Sequence, residues 1–213
     1  MFTYEQEDYF RFGFVADQWL VEYAHQCAGV ISSPVMTFSM SLVFELYLKA
    51  YYAKIITQPP ATTLGHNVRK ILENLAKADQ NFPSELIFNK DLLQYPLFEL
   101  DKDGWKSQWF VDLGEADKKE LKVNYEFYLI MAYGIDLKYG ISPSLEKHNG
   151  RLISSAWTLF NPKLSEIIIA IRNRISYPGT KTEDILSIKL KNPRLEQGSK
   201  DYLQSIIDNT IYK

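Results

Sequence analysis

The stretch Asn161–Gly179, NPKLSEIIIAIRNRISYPG, decides how the fold of this chain is read. Asn161 is a strong N-cap, Pro162 suits the first helical position, where its missing N–H costs nothing, and Glu166 lies near the positive end of the helix dipole. Leu164, Ile168, Ile171 and Ile175 recur at spacings of four, three and four, which is the buried stripe of an amphipathic helix. Pro178 biases Tyr177 away from the α region and Gly179 can adopt positive φ, so the helix is expected to end at about Ser176. Arg172 follows Ile168 by four residues, so its stem should run along the edge of the stripe and its guanidinium emerge beside whatever packs there.

The rest of the chain reads as further helices. A first is predicted over about Tyr4–Gly29, with Phe12, Val15, Trp19, Tyr23 and Cys27 on a core-facing side. A second, over about Val35–Ile56, is apolar nearly all round and should lie in the middle of a bundle. Its Glu45 has two readings: an ordinary i, i+4 pair with Lys49, or a buried carboxylate that pairs with Arg172. A loop with Pro59 and Pro60 leads to a third helix that begins near Gly65 or His66 and carries Val68, Ile71, Leu72 and Leu75 as its stripe.

Residues Asp79–Lys119, with Pro83, Pro96, Gly104 and Gly114, are the least regular and read as an insertion between bundle helices. Asp101, Asp103 and Gly104 fail the spacing of a calcium loop and read as an acidic turn. Trp105 and Trp109, four apart, either cover the core or form a stacking platform for bases. A fourth helix is expected over about Lys118–Tyr139, then a polar connection, while Arg151–Phe160 fits a short helix or an extended form. Beyond Gly179, Thr182 can cap a turn with Glu183 and Asp184, and ILSIKLK alternates enough for a short strand. Ser199 suits the cap of a last helix to about Tyr212, with Tyr202, Ile206 and Thr210 on one side and Leu203 and Ile207 beside them.

A chain of 213 residues, 46% hydrophobic and 23% charged, is long enough for one well-buried domain, here expected to span residues 1–213. A net charge of −2 provides no general basic footprint for a nucleic-acid backbone. The charge is uneven: Lys147 onward carries 11 Lys+Arg against 6 Asp+Glu, whereas residues 1–146 carry 13 against 20. An anionic ligand would be drawn to the last third, although solvated surfaces show the same asymmetry. Cys27 stands alone, which excludes an intrachain disulfide and a thiolate zinc site and fits a reducing cytoplasm. The N-terminus has neither a basic leader nor an apolar signal core, and no run of about 18 apolar residues exists to span a bilayer, so no membrane partner is expected. There is no Gly-rich phosphate loop, Gly-x-Ser-x-Gly elbow or His-Glu-x-x-His, and His25, His66 and His148 are too scattered for a metal site; no cofactor is expected.

The segment IRNRISYPG, together with FELYLKA (Phe44–Ala50) and GHN (Gly65–Asn67) in that order, resembles the HEPN family, small helical domains of prokaryotic nucleotide-binding, toxin and antiviral systems. The resemblance spans about Thr37–Leu75 and Asn161–Leu186 and implies an up-and-down antiparallel helical bundle. HEPN ribonucleases carry Arg, a polar residue often Asn, a few variable residues and then His; here Arg172 and Asn173 match but Tyr177 stands where His is expected, and Asn67 replaces a usual acidic residue. The family's site is understood to form where two such helices meet across a homodimer and to cleave RNA without metal.

In such a site a guanidinium holds the phosphate in two-pronged fashion while a His moves protons. Tyr177 is a poor substitute, since a phenol of ordinary pKa is only about one part in a thousand ionised at pH 7, yet it can donate a hydrogen bond. The resemblance therefore marks Arg172, Asn173 and Tyr177 as a degenerate catalytic set, with Arg174, Glu45 and His66 as accompanying ligand-binding candidates. His66 either replaces the missing proton-transfer group or bonds to backbone at a helix start. Arg172 and Arg174 also have a purely local reading, in which they balance the negative end of their helix. The function expected is a non-catalytic member binding RNA, a nucleotide or a protein partner, such as a cognate antitoxin or a nucleotidyltransferase-like protein, in a defence or toxin–antitoxin setting. The alternatives are a metal-independent endoribonuclease and a structural scaffold.

Overall fold

The computed structural model describes residues 4–27, 34–56, 61–66, 68–86, 162–177 and 180–212. The fold is mainly helical, and the described residues contain no strand beyond a single β-bridge. In chain order the helices are α1 (Tyr4–Cys27), α2 (Pro34–Ile55), α3 (Val68–Ala78), α4 (Pro162–Ile175), α5 (Ile185–Lys189) and α6 (Gln197–Asp208), with 3₁₀ turns at Ala61–Leu64 and Ser84–Leu86. The expectations for Asn161, Pro178 and Gly179, for the insertion beyond Leu86, for a helix over about Lys118–Tyr139 and for Arg151–Phe160 lie outside the described residues.

Helix α2 is the axis of the structure, as its all-round apolarity implies. It packs along α1, and α3 and α4 also rest on it. Phe44, Tyr47, Leu48, Tyr51 and Tyr52 are fully or almost fully buried. Each large side chain so removed from water contributes roughly 1.5–3 kcal/mol. Helix α3 buries the stripe read from its spacing, Val68, Ile71, Leu72 and Leu75. Helix α4 does likewise with Leu164, Ile168, Ile171 and Ile175, to which Ile167 is added.

The stop of α4 has a local cause that the proline and glycine signals did not identify. Ser176 adopts φ 56° and its N–H reaches back to Asn173 O at 3.3 Å, so the left-handed turn falls on a serine directly after Ile175. Such a conformation costs a residue with a Cβ about 1 kcal/mol, which the surrounding contacts must offset.

Three expectations are corrected. The buried face of α1 runs through Gly13, Asp17, Leu20 and Ala24; of the expected set, Tyr23 is buried and Phe12 and Trp19 pack half-buried against the core, but Val15 is exposed along with Phe10 and Phe14, and the Cys27 side chain lies outside the described residues. The segment ILSIKLK is not a strand: Asp184 caps it, accepting from Leu186 N at 2.9 Å, and Ile185–Lys189 close into the short helix α5. No neighbouring strand was available among the described residues to satisfy an extended form, whereas a capped turn satisfies its own amides. Ser199 does not cap α6, which starts at Gln197; its buried hydroxyl instead donates to Ala24 O of α1 at 2.7 Å.

Gly13 lies where α1 crosses the end of α4. A Cβ placed there would meet Tyr177 Cε2 at 3.6 Å and Ile175 Cδ1 at 3.9 Å, ordinary contact distances. A mid-helix glycine costs about 0.5–1 kcal/mol relative to alanine. We therefore expect Gly13→Ala to raise stability by about that amount, measured as an upward shift of the urea midpoint with an unchanged slope.

Candidate functional site

The polar residues that α4 carries at its C-terminal end do not face solvent. Arg172 is wholly buried, which corrects the expectation that its guanidinium emerges from the helix edge. Its Nη1 donates to Asp17 Oδ1 of α1 at 2.5 Å, its Nη2 donates to Asp184 Oδ2 at the cap of α5, and its Nε donates to Thr210 Oγ1 at 3.0 Å. The ring of Tyr177, only 6% exposed, lies against the guanidinium plane with its centroid 3.8 Å from Cζ. Cation–π attraction in such a dry setting adds to the ion pairs. Two phenols complete the shell: Tyr47 of α2 donates to Asp17 Oδ1, and Tyr212 donates to Asp184 Oδ2 at 2.5 Å.

Burial dominates the electrostatics of this cluster. It pushes the Asp17 carboxyl up to about 7, against the pull of the Arg172 charge and the Tyr47 hydrogen bond, and Asp17 Oδ2 has no hydrogen-bond partner among the described residues. Burial also raises the hydroxyls of Tyr47, beside Asp17, and Tyr212, beside Asp184, above the ordinary phenol range. For Arg172 burial alone would favour loss of the proton, but Asp17, Tyr47 and Asp184 outweigh it and hold the guanidinium above its usual range.

A second cluster repeats the pattern one turn along α2. Arg174 grips Asp79 at the end of α3 in bidentate fashion, Nε to Oδ2 at 2.6 Å and Nη2 to Oδ1 at 2.5 Å. Tyr51 donates to Asp79 Oδ2 at 2.5 Å and Asn81 N to Asp79 Oδ1 at 2.9 Å. The hydrogen bond from Arg174 is the largest influence on Asp79 and holds its carboxyl well below the ordinary range. Arg172 and Arg174, two apart, project to different sides of α4; Tyr47 and Tyr51, four apart, share one face of α2 and reach one cluster each. Between the two arginines, Asn173 uses both ends of its amide: Nδ2 donates to Asn209 O at 3.1 Å and Oδ1 accepts from Ile211 N at 2.7 Å.

Glu45 does not pair with Arg172. Its Oε1 accepts from Lys49 Nζ at 2.6 Å, the i, i+4 reading, and both its oxygens lie 3.0 Å from His66 Nδ1. Glu45 and Tyr47, two apart, point to different sides of α2, so Glu45 and His66 form a cluster separate from Arg172. His66 thus meets a carboxylate and not backbone through its ring, at the turn where Gly65 adopts φ 59°.

Asp17, Asp79, Tyr47, Tyr51, Thr210 and Tyr212 were not singled out from the sequence as partners of this site. A usable signal existed for Asp17, which recurs with Gly13, Leu20 and Ala24 at spacings of four, three and four; a carboxylate on a buried stripe needs a cation. No described helix is long and apolar enough to cross a membrane, and the described residues hold no group of three or more His, Cys, Asp or Glu that could hold a metal ion. The fold and site define a mainly helical protein built around a buried arginine–carboxylate–phenol network. No protein-family model, curated protein or solved structure matches the chain.

Removing the Arg172 guanidinium leaves Asp17 and Asp184 buried without their cation. We expect Arg172→Met to lose about 3–5 kcal/mol in chemical denaturation. Arg174→Met should lose clearly less, because Arg174 is about a third exposed and Asp79 keeps its bonds from Tyr51 and Asn81.

The raised Asp17 pKa fixes the sign of a pH dependence. The folded state holds a proton on Asp17 that the unfolded chain releases above about 3.8, so this group's contribution is full below that value and is lost as pH rises towards about 7. Unfolding midpoints from pH 5 to 8 should therefore show wild type losing stability relative to Asp17→Asn as pH rises. Asp79 acts oppositely, contributing above its ordinary range and losing that contribution in acid.

Proposed function

We propose that this chain is a HEPN-like helical bundle of the non-catalytic kind, which acts by binding a protein partner in a defence or toxin–antitoxin setting and does not cleave RNA. The family part of the reading rests on the FELYLKA, GHN and IRNR segments in their order along the chain. The observation that carries the functional part is that each motif residue able to meet a phosphate is already committed inside the chain. Arg172 is held by Asp17 and Asp184, Arg174 by Asp79, Asn173 by backbone at Asn209 and Ile211, and Tyr177 lies under Arg172.

Charge favours a protein over a nucleic acid as the partner. The two guanidiniums face Asp17, Asp184 and Asp79 at the end of α4, so even with Asp17 protonated an incoming phosphate meets no surplus of positive charge there and would have to displace a buried ion pair. The Tyr177 hydroxyl belongs to a ring that is nearly sequestered from solvent, so a proton carrier at this position would have little access to a substrate.

The test is incubation of the purified protein with structured and single-stranded RNA in EDTA. We expect no cleavage by wild type, and none gained on Tyr177→His, since the imidazole would take the same enclosed position. Cleavage by wild type that disappears in a folded Tyr177→Phe protein would replace this reading with that of a metal-independent endoribonuclease.

A further inference from the structure

Past the Asp184 cap, the segment Ile185–Leu195, ILSIKLKNPRL, contains Lys189, Lys191 and Arg194 and no acidic residue. All three cations are exposed, and none has an ion pair or a side-chain hydrogen bond among the described residues. Ile188 stands beside them, 51% exposed. Other exposed charges in this part of the chain are taken: Lys181 pairs with Asp208, and Glu183 accepts from Thr180.

The backbone that carries the three cations is pinned. Leu186 and Leu195, fully or almost fully buried, anchor its two ends. Between them Leu190 N donates to Leu186 O at 2.9 Å, Lys191 N to Ile188 O at 3.3 Å, Asn192 N to Lys189 O at 2.9 Å and Leu195 N to Asn192 O at 3.2 Å. The Asn192 side chain closes a further turn by accepting from Arg194 N at 3.0 Å, across Pro193, whose ring fixes φ. A surface whose backbone is already ordered loses little conformational freedom when a partner docks. Lys189 has a local explanation as the basic residue in the last turn of α5, but Lys191 and Arg194 lie past the end of that helix.

We propose that the turn Ile188–Arg194 is a docking surface for an acidic segment of a partner protein, whose carboxylates meet Lys191 and Arg194 while an apolar side chain rests on Ile188. This deepens the reading of the chain as a protein-binding module and rests on it. An apolar centre with charges at its rim is the composition of a protein interface. A nucleic acid is the poorer fit: three cations neutralise few phosphates where roughly 6–10 contacts are common, and Ile185–Leu195 offers no aromatic ring on which a base could stack.

The test is fluorescence anisotropy with three labelled probes: the peptide EELEDLEE, its equally charged relative EESEDSEE, and a short polyuridine. We expect wild type to bind EELEDLEE best, and to lose affinity as salt rises from about 50 to 200 mM. Lys191→Glu/Arg194→Glu should bind it about tenfold or more weakly, with circular dichroism and urea midpoint unchanged because both side chains are exposed and unpaired. Ile188→Ser should weaken EELEDLEE about threefold or more and leave EESEDSEE unaffected. No binding of EELEDLEE by wild type, or equal binding by the folded charge-reversed variant, overturns the proposal. Polyuridine bound as tightly as EELEDLEE, with no effect of Ile188→Ser, overturns it as well and makes the turn a site for polyanions in general. The RNA cleavage assay is separate: absence of peptide binding with no cleavage rejects this surface and leaves the non-catalytic reading in place.

Discussion

A guanidinium with no access to water constrains everything around it. Arg172 meets Asp17 of α1, Asp184 at the cap of α5 and Thr210 beyond α6, while Tyr47 of α2 closes the shell. Moving such ions from water into a protein interior costs several kcal/mol each, so the network matters less for net stability than for what it forbids. Any packing that shifts one of these elements leaves a buried charge unmatched. The fold is thereby restricted to the arrangement in which four helices and a trailing segment converge on one residue.

The Arg174, Asp79 and Tyr51 cluster, with its guanidinium about a third exposed, ties α3 to α4 a turn away by a weaker version of this contact. Each cluster takes its arginine from α4 and a phenol from α2, with carboxylates from Asp17 of α1 and Asp184 in one and from Asp79, just after α3, in the other, which holds α4 against α2 from two sides. Geometry of this kind turns the polar end of an amphipathic helix into a clasp.

Much of the architecture was legible because helical periodicity reports on burial. The stripes of α3 and α4 and the all-round apolarity of α2 depend only on which residues avoid water, and each is buried as read. The reading failed where two choices satisfied the same local pattern. In α1 the aromatic set through Phe12 and Val15 obscured the small-residue face through Gly13 and Asp17 that packs against α4. In ILSIKLK, alternation was compatible with a strand until the Asp184 cap made a helical turn the form that satisfies its own amides. Glu45 and Asp17 are both buried carboxylates on helices packed in the core, but the cation of Glu45 is its own neighbour Lys49, legible at i, i+4, whereas that of Asp17 comes from α4.

By itself the sequence determined that this chain makes helices, where α4 begins and ends to within a residue, and which side of it avoids water, because these follow from short-range spacing and capping. Whether Arg172 would meet solvent or carboxylate was decided only by tertiary structure. Its partners Asp17 and Asp184 lie 155 residues before it and 12 after it. A pattern along one helix specifies its buried face but carries no information about which charge another helix will bring to that face.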